Sequence, residues 1–225
     1  MAFSSSIATA GSNGRLILTQ TDGGGAFTGT GNEYQYLYGL QCESFTNVLQ
    51  TKPTSYIPTT GTPITRPIAT LDNGGDNTLI NSIEGVFYAE LKPDLYLDED
   101  MRISLTDGST GNRIHMQFPS GGELIKIFSF GSATNKCSTS TALHFPEQIN
   151  KIALKYAVDD YAIWVNGVKV FEGVANGDGT TFPAGTLSQL EFDQGNGGSP
   201  YKGLIKRVAI YDQKLTDREL ECLTS

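Results

Sequence analysis

The stretch 151–173, KIALKYAVDDYAIWVNGVKVFEG, constrains the fold more than any other part of the chain. Ile152, Leu154, Tyr156 and Val158 alternate with Lys151, Ala153, Lys155 and Ala157, the period of two expected of a strand with one buried face. Asp159-Asp160 interrupts the run, and Tyr161, Ile163 and Val165 resume it. Asn166-Gly167 then supplies two residues that tolerate positive φ, the chemistry of a type I′ hairpin turn. Val168, Lys169, Val170 and Phe171 form the returning strand, and Gly173 closes it. Three antiparallel strands joined by tight turns make a meander, and an apolar meander face needs a second layer to cover it. The expected place of this stretch is the middle of a β-sandwich.

The remaining sequence agrees with an all-β, antiparallel two-sheet sandwich. The 225 residues include 26 Gly and 9 Pro, which suits short strands and turns better than helices. Strands are expected at 83–91, 101–106, 113–118, 123–129, 186–192 and 203–211, with a further short one within 131–144. Including the N-terminal pair, the count comes to about ten to twelve. Thr216 with Glu219 forms a capping box at the start of a short C-terminal helix. The organisation divides at 1–50, 51–70 and 71–225. The first part is a small, polar arm followed by a strand pair, in which Tyr34, Tyr36 and Tyr38 share one face. Two strands alone are marginal in water, so a partner chain or the sandwich must cover those tyrosines. The second part carries Pro53, Pro58, Pro63 and Pro67 and reads as an extended strap. The third part is the sandwich.

Charge and composition narrow the function. A net charge of −8 argues against nucleic acid or an anionic membrane as a non-specific partner. No apolar run is long enough to span a bilayer. The start, MAFSSSIATAGSNG, lacks the basic and apolar regions of a secretory signal, so synthesis in a cytoplasm is expected. Cys42, Cys137 and Cys222 are odd in number and widely spaced, and read as isolated reduced thiols.

Three segments carry a resemblance. The run KIALKYAVDDYAIWVNGVKV resembles the strand–turn–strand of the laminin G-like branch of the concanavalin A-like lectin/glucanase superfamily, whose members carry a similar Y-x-V-N-G-x-x-V. GLIKRVAIY followed by LTDREL is similar to the closing strand and short helix of such domains. PTSYIPTTGTPITR resembles a segment found ahead of such domains in bacteriophage and prophage virion proteins, and the strand pair before it resembles the last strands of phage-fibre jelly-roll modules. The resemblance implies a laminin G/concanavalin A-like jelly roll. It also implies a virion structural protein (tail fibre, head fibre or capsid decoration), assembled as a homo-oligomer, with a trimer favoured, beside other virion proteins. Its surface partner would be host carbohydrate.

Candidate chemistry is sparse. Glucanases of this superfamily place acids as E-x-D-x-x-E on one strand face; the nearest run here is Glu191-Phe192-Asp193-Gln194-Gly195-Asn196, with Asn in the acid/base position. Glu191 and Asp193 share a strand face, and a solvent-facing strand end is the simpler expectation. His115 and His144 lie in separate strands with no acid at a fixed offset. No nucleophile elbow, phosphate loop or zinc-protease motif is present. Asp72 and Asp76, and the acidic connection Asp94, Asp98, Glu99 and Asp100, offer oxygen ligands for calcium, against the plainer reading of solvated loops. Trp164 lies opposite Tyr161, Ile163 and Val165, and is a sugar-stacking platform, a surface covered by a neighbouring subunit, or part of a second core layer. Tyr201 and Asn196, in a Gly-rich loop, complete the glycan candidates. The expectation is a binding protein without enzymatic activity or cofactor; a free glycan-binding adhesin and a glycoside hydrolase are the alternatives.

Overall fold

The computed structural model describes residues 71, 74–94, 99–120, 124–131, 134–142 and 148–225, and only the backbone of 124–130 and 142. The tyrosine face at Tyr34, Tyr36 and Tyr38, the proline strap, Cys42, Asp72, Asp98 and His144 lie outside the described residues.

Among the described residues, ten strands form two antiparallel sheets of five. The first contains β1 (Gly85–Pro93), β6 (Asn150–Tyr156), β7 (Ala162–Val165), β8 (Val168–Glu172) and β10 (Gly203–Tyr211), in the order β10-β1-β6-β7-β8. The second contains β2 (Met101–Thr106), β3 (Asn112–Phe118), β4 (Leu124–Gly131), β5 (Thr134–Ala142) and β9 (Gln189–Glu191), in the order β5-β4-β3-β2-β9. The expected meander is β6-β7-β8. Its hairpin turn has both central residues at positive φ, Asn166 at 49° and Gly167 at 81°, as a type I′ turn demands. The expected short strand within 131–144 is instead the nine-residue β5, and β9 is cut to three residues. Ahead of β9, the Leu187 amide donates to the Ser82 side chain rather than to a neighbouring strand, which delays the ladder.

Alternation fills the space between the sheets. Phe87, Ala89 and Leu91 of β1, Ile152, Leu154 and Tyr156 of β6, and Ile163 and Val165 of β7 meet Met101, Ile103, Leu105, Ile114, Met116 and Phe118 of the second sheet. The first sheet is buried on its other face too. There Val86, Tyr88, Ala153, Ala162 and Trp164 pack beneath Leu220 of α1 (Asp217–Thr224). The capping box holds that helix: the Thr216 amide donates to Glu219 Oε2 at 2.8 Å, and the Glu219 amide donates to Thr216 Oγ1 at 3.4 Å. Three loops share one local device, an aspartate followed two residues later by Ser or Thr. Asp76 accepts from Thr78, Asp107 from Ser109 and Asp178 from Thr180, through backbone amide and hydroxyl together.

Gly85 opens β1 where the chain passes between two layers. A Cβ there would lie 2.5 Å from the Tyr211 carbonyl oxygen and 2.6 Å from the Tyr156 hydroxyl, which itself donates to the Asn81 carbonyl at 2.7 Å. Gly85→Ala is expected to destabilise the protein by about 1–3 kcal/mol through overpacking, read as a lowered urea midpoint. An unchanged midpoint would show that the backbone yields freely at this point.

Candidate functional site

The second sheet has an apolar inner face and a polar outer one. On β2, Met101, Ile103 and Leu105 point inward, so Arg102, Ser104 and Thr106 lie on the outer face. On β3, Ile114, Met116 and Phe118 point inward, leaving Arg113, His115 and Gln117 outside. The register sets Ser104 opposite His115, Arg102 opposite Gln117 and Thr106 opposite Arg113. β9 then places Glu191 opposite Ser104. Glu191, Ser104 and His115 therefore form one row across three strands.

The loop 192–201 folds over this row. Phe192 packs on the core, and Asp193 stays on the polar side. Ser104 Oγ donates to the Asp193 carbonyl at 2.7 Å, and Asp193 Oδ1 accepts from the Gly195 amide at 2.5 Å. Gly195 has φ of 100°, and a Cβ there would meet the Ser109 carbonyl and Thr106 Oγ1, both at 2.6 Å, so glycine is required. Both arginines grip the loop. Arg113 donates to the Gln194 carbonyl at 3.1 Å, and Arg102 donates to Gln194 Oε1 and, at 3.1 Å, to Ser199 Oγ. Asp100 Oδ2 pairs with Arg102 at 3.2 Å and accepts from Gln117 Nε2 at 2.8 Å. Burial lowers the pKa of both guanidiniums, and Arg102 lowers that of Arg113 further. Burial first, then Arg113 and Arg102, push His115 well below the usual histidine range. The imidazole is held neutral.

The structure corrects several expectations. Trp164 is no platform for a sugar: it is 6% exposed, sandwiched between the first sheet and α1, with Lys169 Nζ 5.8 Å from its ring centre. Tyr201 is equally unsuited, because its ring enters the core and meets Phe118 edge-on at 5.8 Å. Its amide donates to the Phe192 carbonyl at 2.7 Å, so the loop's return drives the ring inward. Asn196 alone of the three glycan candidates is exposed, its Oδ1 accepting from Gln194 Nε2 at 3.0 Å and the Gly198 amide at 3.1 Å. Glu191 and Asp193 do not lie at a solvent-facing strand end, since each is only 7% exposed. Asp76 Oδ1 is a turn acceptor for Thr78 and Leu79. Among the described residues no three His, Cys, Asp or Glu side chains converge on a metal site. In the acidic connection, Glu99 pairs with Lys202 and Asp100 with Arg102. Cys137 is buried, which raises its thiol pKa, and Cys222 is exposed; both are free.

Sequence reasoning missed Arg102, Arg113 and Gln117. The available signal was the strict polar parity of M-R-I-S-L-T and N-R-I-H-M-Q-F, two adjacent strands with polar or charged groups at every alternate position.

Trp164→Ala is expected to cost about 3–5 kcal/mol of stability, measured by urea unfolding, and to leave glycan affinity unchanged. Lost affinity at unchanged stability would restore the ring as a platform. His115 gives a pH effect of defined sign. Its folded-state pKa is depressed, so the unfolded chain takes the proton first, and stability falls as pH drops below the ordinary value of 6.5. His115→Gln should flatten that slope between about pH 7.5 and 5.5, read as urea midpoints; an unaltered slope would place the titration elsewhere.

Comparison with known proteins matches this architecture. A laminin G-like family model, described as the concanavalin A-like lectin/glucanases superfamily, matches residues 87–221, more than half of the chain. No curated protein matches the sequence. Among solved structures, the native heptameric SAP-like pentraxin from Limulus polyphemus aligns with a TM-score of 0.52 at 14% identity, over 70% of this chain and 76% of the other. Leech intramolecular trans-sialidase complexed with 2,7-anhydro-Neu5Ac aligns at 0.50 and 16% identity, over 69% of this chain but only 27% of that enzyme. The CBM40 of Ruminococcus gnavus IT-sialidase, bound to α2,3 sialyllactose, gives 0.47 and 16%, over 68% and 85%. At these identities the likeness is one of fold. With the family match running from within β1 into α1, the chain belongs to the concanavalin A-like lectin/glucanases superfamily.

Proposed function

We propose that this protein is a non-enzymatic, lectin-like component of a bacteriophage particle, a fibre or capsid-decoration subunit that turns its sandwich towards carbohydrate on the host surface. The observation that carries the carbohydrate reading is the polar outer face of β2, β3 and β9, where the half-buried Arg102 and Arg113 and the exposed loop residue Asn196 stand over a buried row of imidazole, amide and carboxylate groups. Planar donors and acceptors fixed on strands suit hydroxyl-rich ligands, because the strands hold them in place before binding. Superfamily membership supports the same reading.

The chemistry favours binding over hydrolysis. Cleaving a glycosidic bond takes two carboxyl groups placed on either side of it. Glu191 and Asp193 share the face, but Asp193 Oδ1 is engaged by the Gly195 amide, and Asn196 stands in the position of the third acid. The virion placement is supported by the segment 53–66, PTSYIPTTGTPITR, and by the strand pair expected from the sequence before it. In such a particle the subunit works as a homo-oligomer, with a trimer favoured and Tyr34, Tyr36 and Tyr38 in the assembly contact.

Two measurements on the full-length chain test this reading. Native mass spectrometry should give a homo-oligomer, at three protomer masses if it is the trimer; a monomer would remove the assembly role. A glycan array followed by a reducing-sugar assay should give binding without turnover, and Asn196→Ala should weaken that binding several-fold. Saccharide release that disappears in Glu191→Gln would make the protein a hydrolase instead.

A further inference from the structure

Three lysines described elsewhere in the fold meet carboxylates: Lys155 pairs with Asp160, Lys169 with Glu172 and Asp217, and Lys202 with Glu99. Arg113 departs from this. Among the described residues no carboxylate pairs with it; its Nη1 donates to a neutral carbonyl, that of Gln194, and its buried Nε has no hydrogen-bond partner. Its neighbour Arg102 shares the single carboxylate of Asp100 with Gln117, and its own Nε is likewise buried without a partner. On the sheet face that also holds Glu191 and Asp193, the two guanidiniums thus have one carboxylate paired with them, that of Asp100, and they repel each other. Both side chains keep some exposure, Arg102 at 15%. The arrangement stands in a chain of net charge −8, so it does not reflect a generally basic surface.

An unmatched, partly desolvated guanidinium is unfavourable for the free protein, and an anion supplied by a ligand relieves it. The planar fork of arginine suits a carboxylate or sulfate bound through two parallel hydrogen bonds. We propose that Arg113, with Arg102 beside it, is the recognition point for an acidic sugar, binding the anionic group of a saccharide on the outer face of the second sheet. This assignment rests on the carbohydrate-binding reading and specifies its ligand class.

The test is an array of uronate-containing, sulfated and neutral glycans, probed with the wild-type protein, Arg113→Gln and Arg113→Lys. The wild type should select acidic glycans, and the better of the two anionic classes identifies the group. Calorimetry with the best-bound acidic glycan should show affinity falling about tenfold or more in Arg113→Gln, and partly recovering in Arg113→Lys, which keeps the charge but loses the fork. Unchanged thermal melting of either variant ties the loss to the site. Selection of neutral glycans alone, or equal acidic-glycan affinity in the variants, overturns the acidic-sugar assignment and leaves the lectin reading standing. Binding to no glycan of any class overturns the lectin reading itself.

Discussion

The apolar contact between the inner faces of the two sheets is the constraint on which the rest of this structure depends. An antiparallel strand sends successive side chains to opposite faces, so committing Met101, Ile103, Leu105, Ile114, Met116 and Phe118 to the core also commits Arg102, Ser104, Arg113, His115 and Gln117 to the far side. Slipping β2 or β3 by one residue would bury arginines between the sheets and expose the core. The polar face is therefore a consequence of packing, and its geometry is as rigid as the core behind it.

The two sheets use their outer faces differently. The first closes its outer face with α1, which covers Tyr88 and Trp164 and leaves the ring no role beyond packing. The second is covered in part by the loop 192–201, whose bonds run to polar groups: Ser104, Arg102 and Arg113 all hold loop atoms. A lid held by hydrogen bonds at a polar floor can exchange those bonds for others at small net cost, whereas an apolar lid cannot. That contrast supports the proposed ligand-facing side on the second sheet.

Where interactions are local, the sequence was readable. The alternation of β6 and β7, the Asn166-Gly167 turn, the Thr216–Glu219 capping box and the limits of β2 and β10 all depend on neighbours within a few residues, and all are found as expected. Reading failed where the outcome depended on a distant covering element. Nothing near Trp164 in the chain reveals that Leu220 will lie over it, and nothing near Tyr201 reveals that Phe118 will receive its ring. The length of β5 was missed because its small polar residues, TNKCSTSTA, lack the apolar alternation by which strands are recognised.

The sequence by itself determined the class of fold and the two faces of each strand, because side-chain parity follows from the backbone alone. The tertiary structure decided which residues became neighbours. Arg102 and Arg113 are separated by a turn in the chain, and Glu191 lies far beyond both, yet register sets Ser104 between Glu191 and His115 and brings both guanidiniums to the same loop. Only the pairing of strands fixes such distances, because hydrogen-bond register is a property of two segments and is written in neither of them alone.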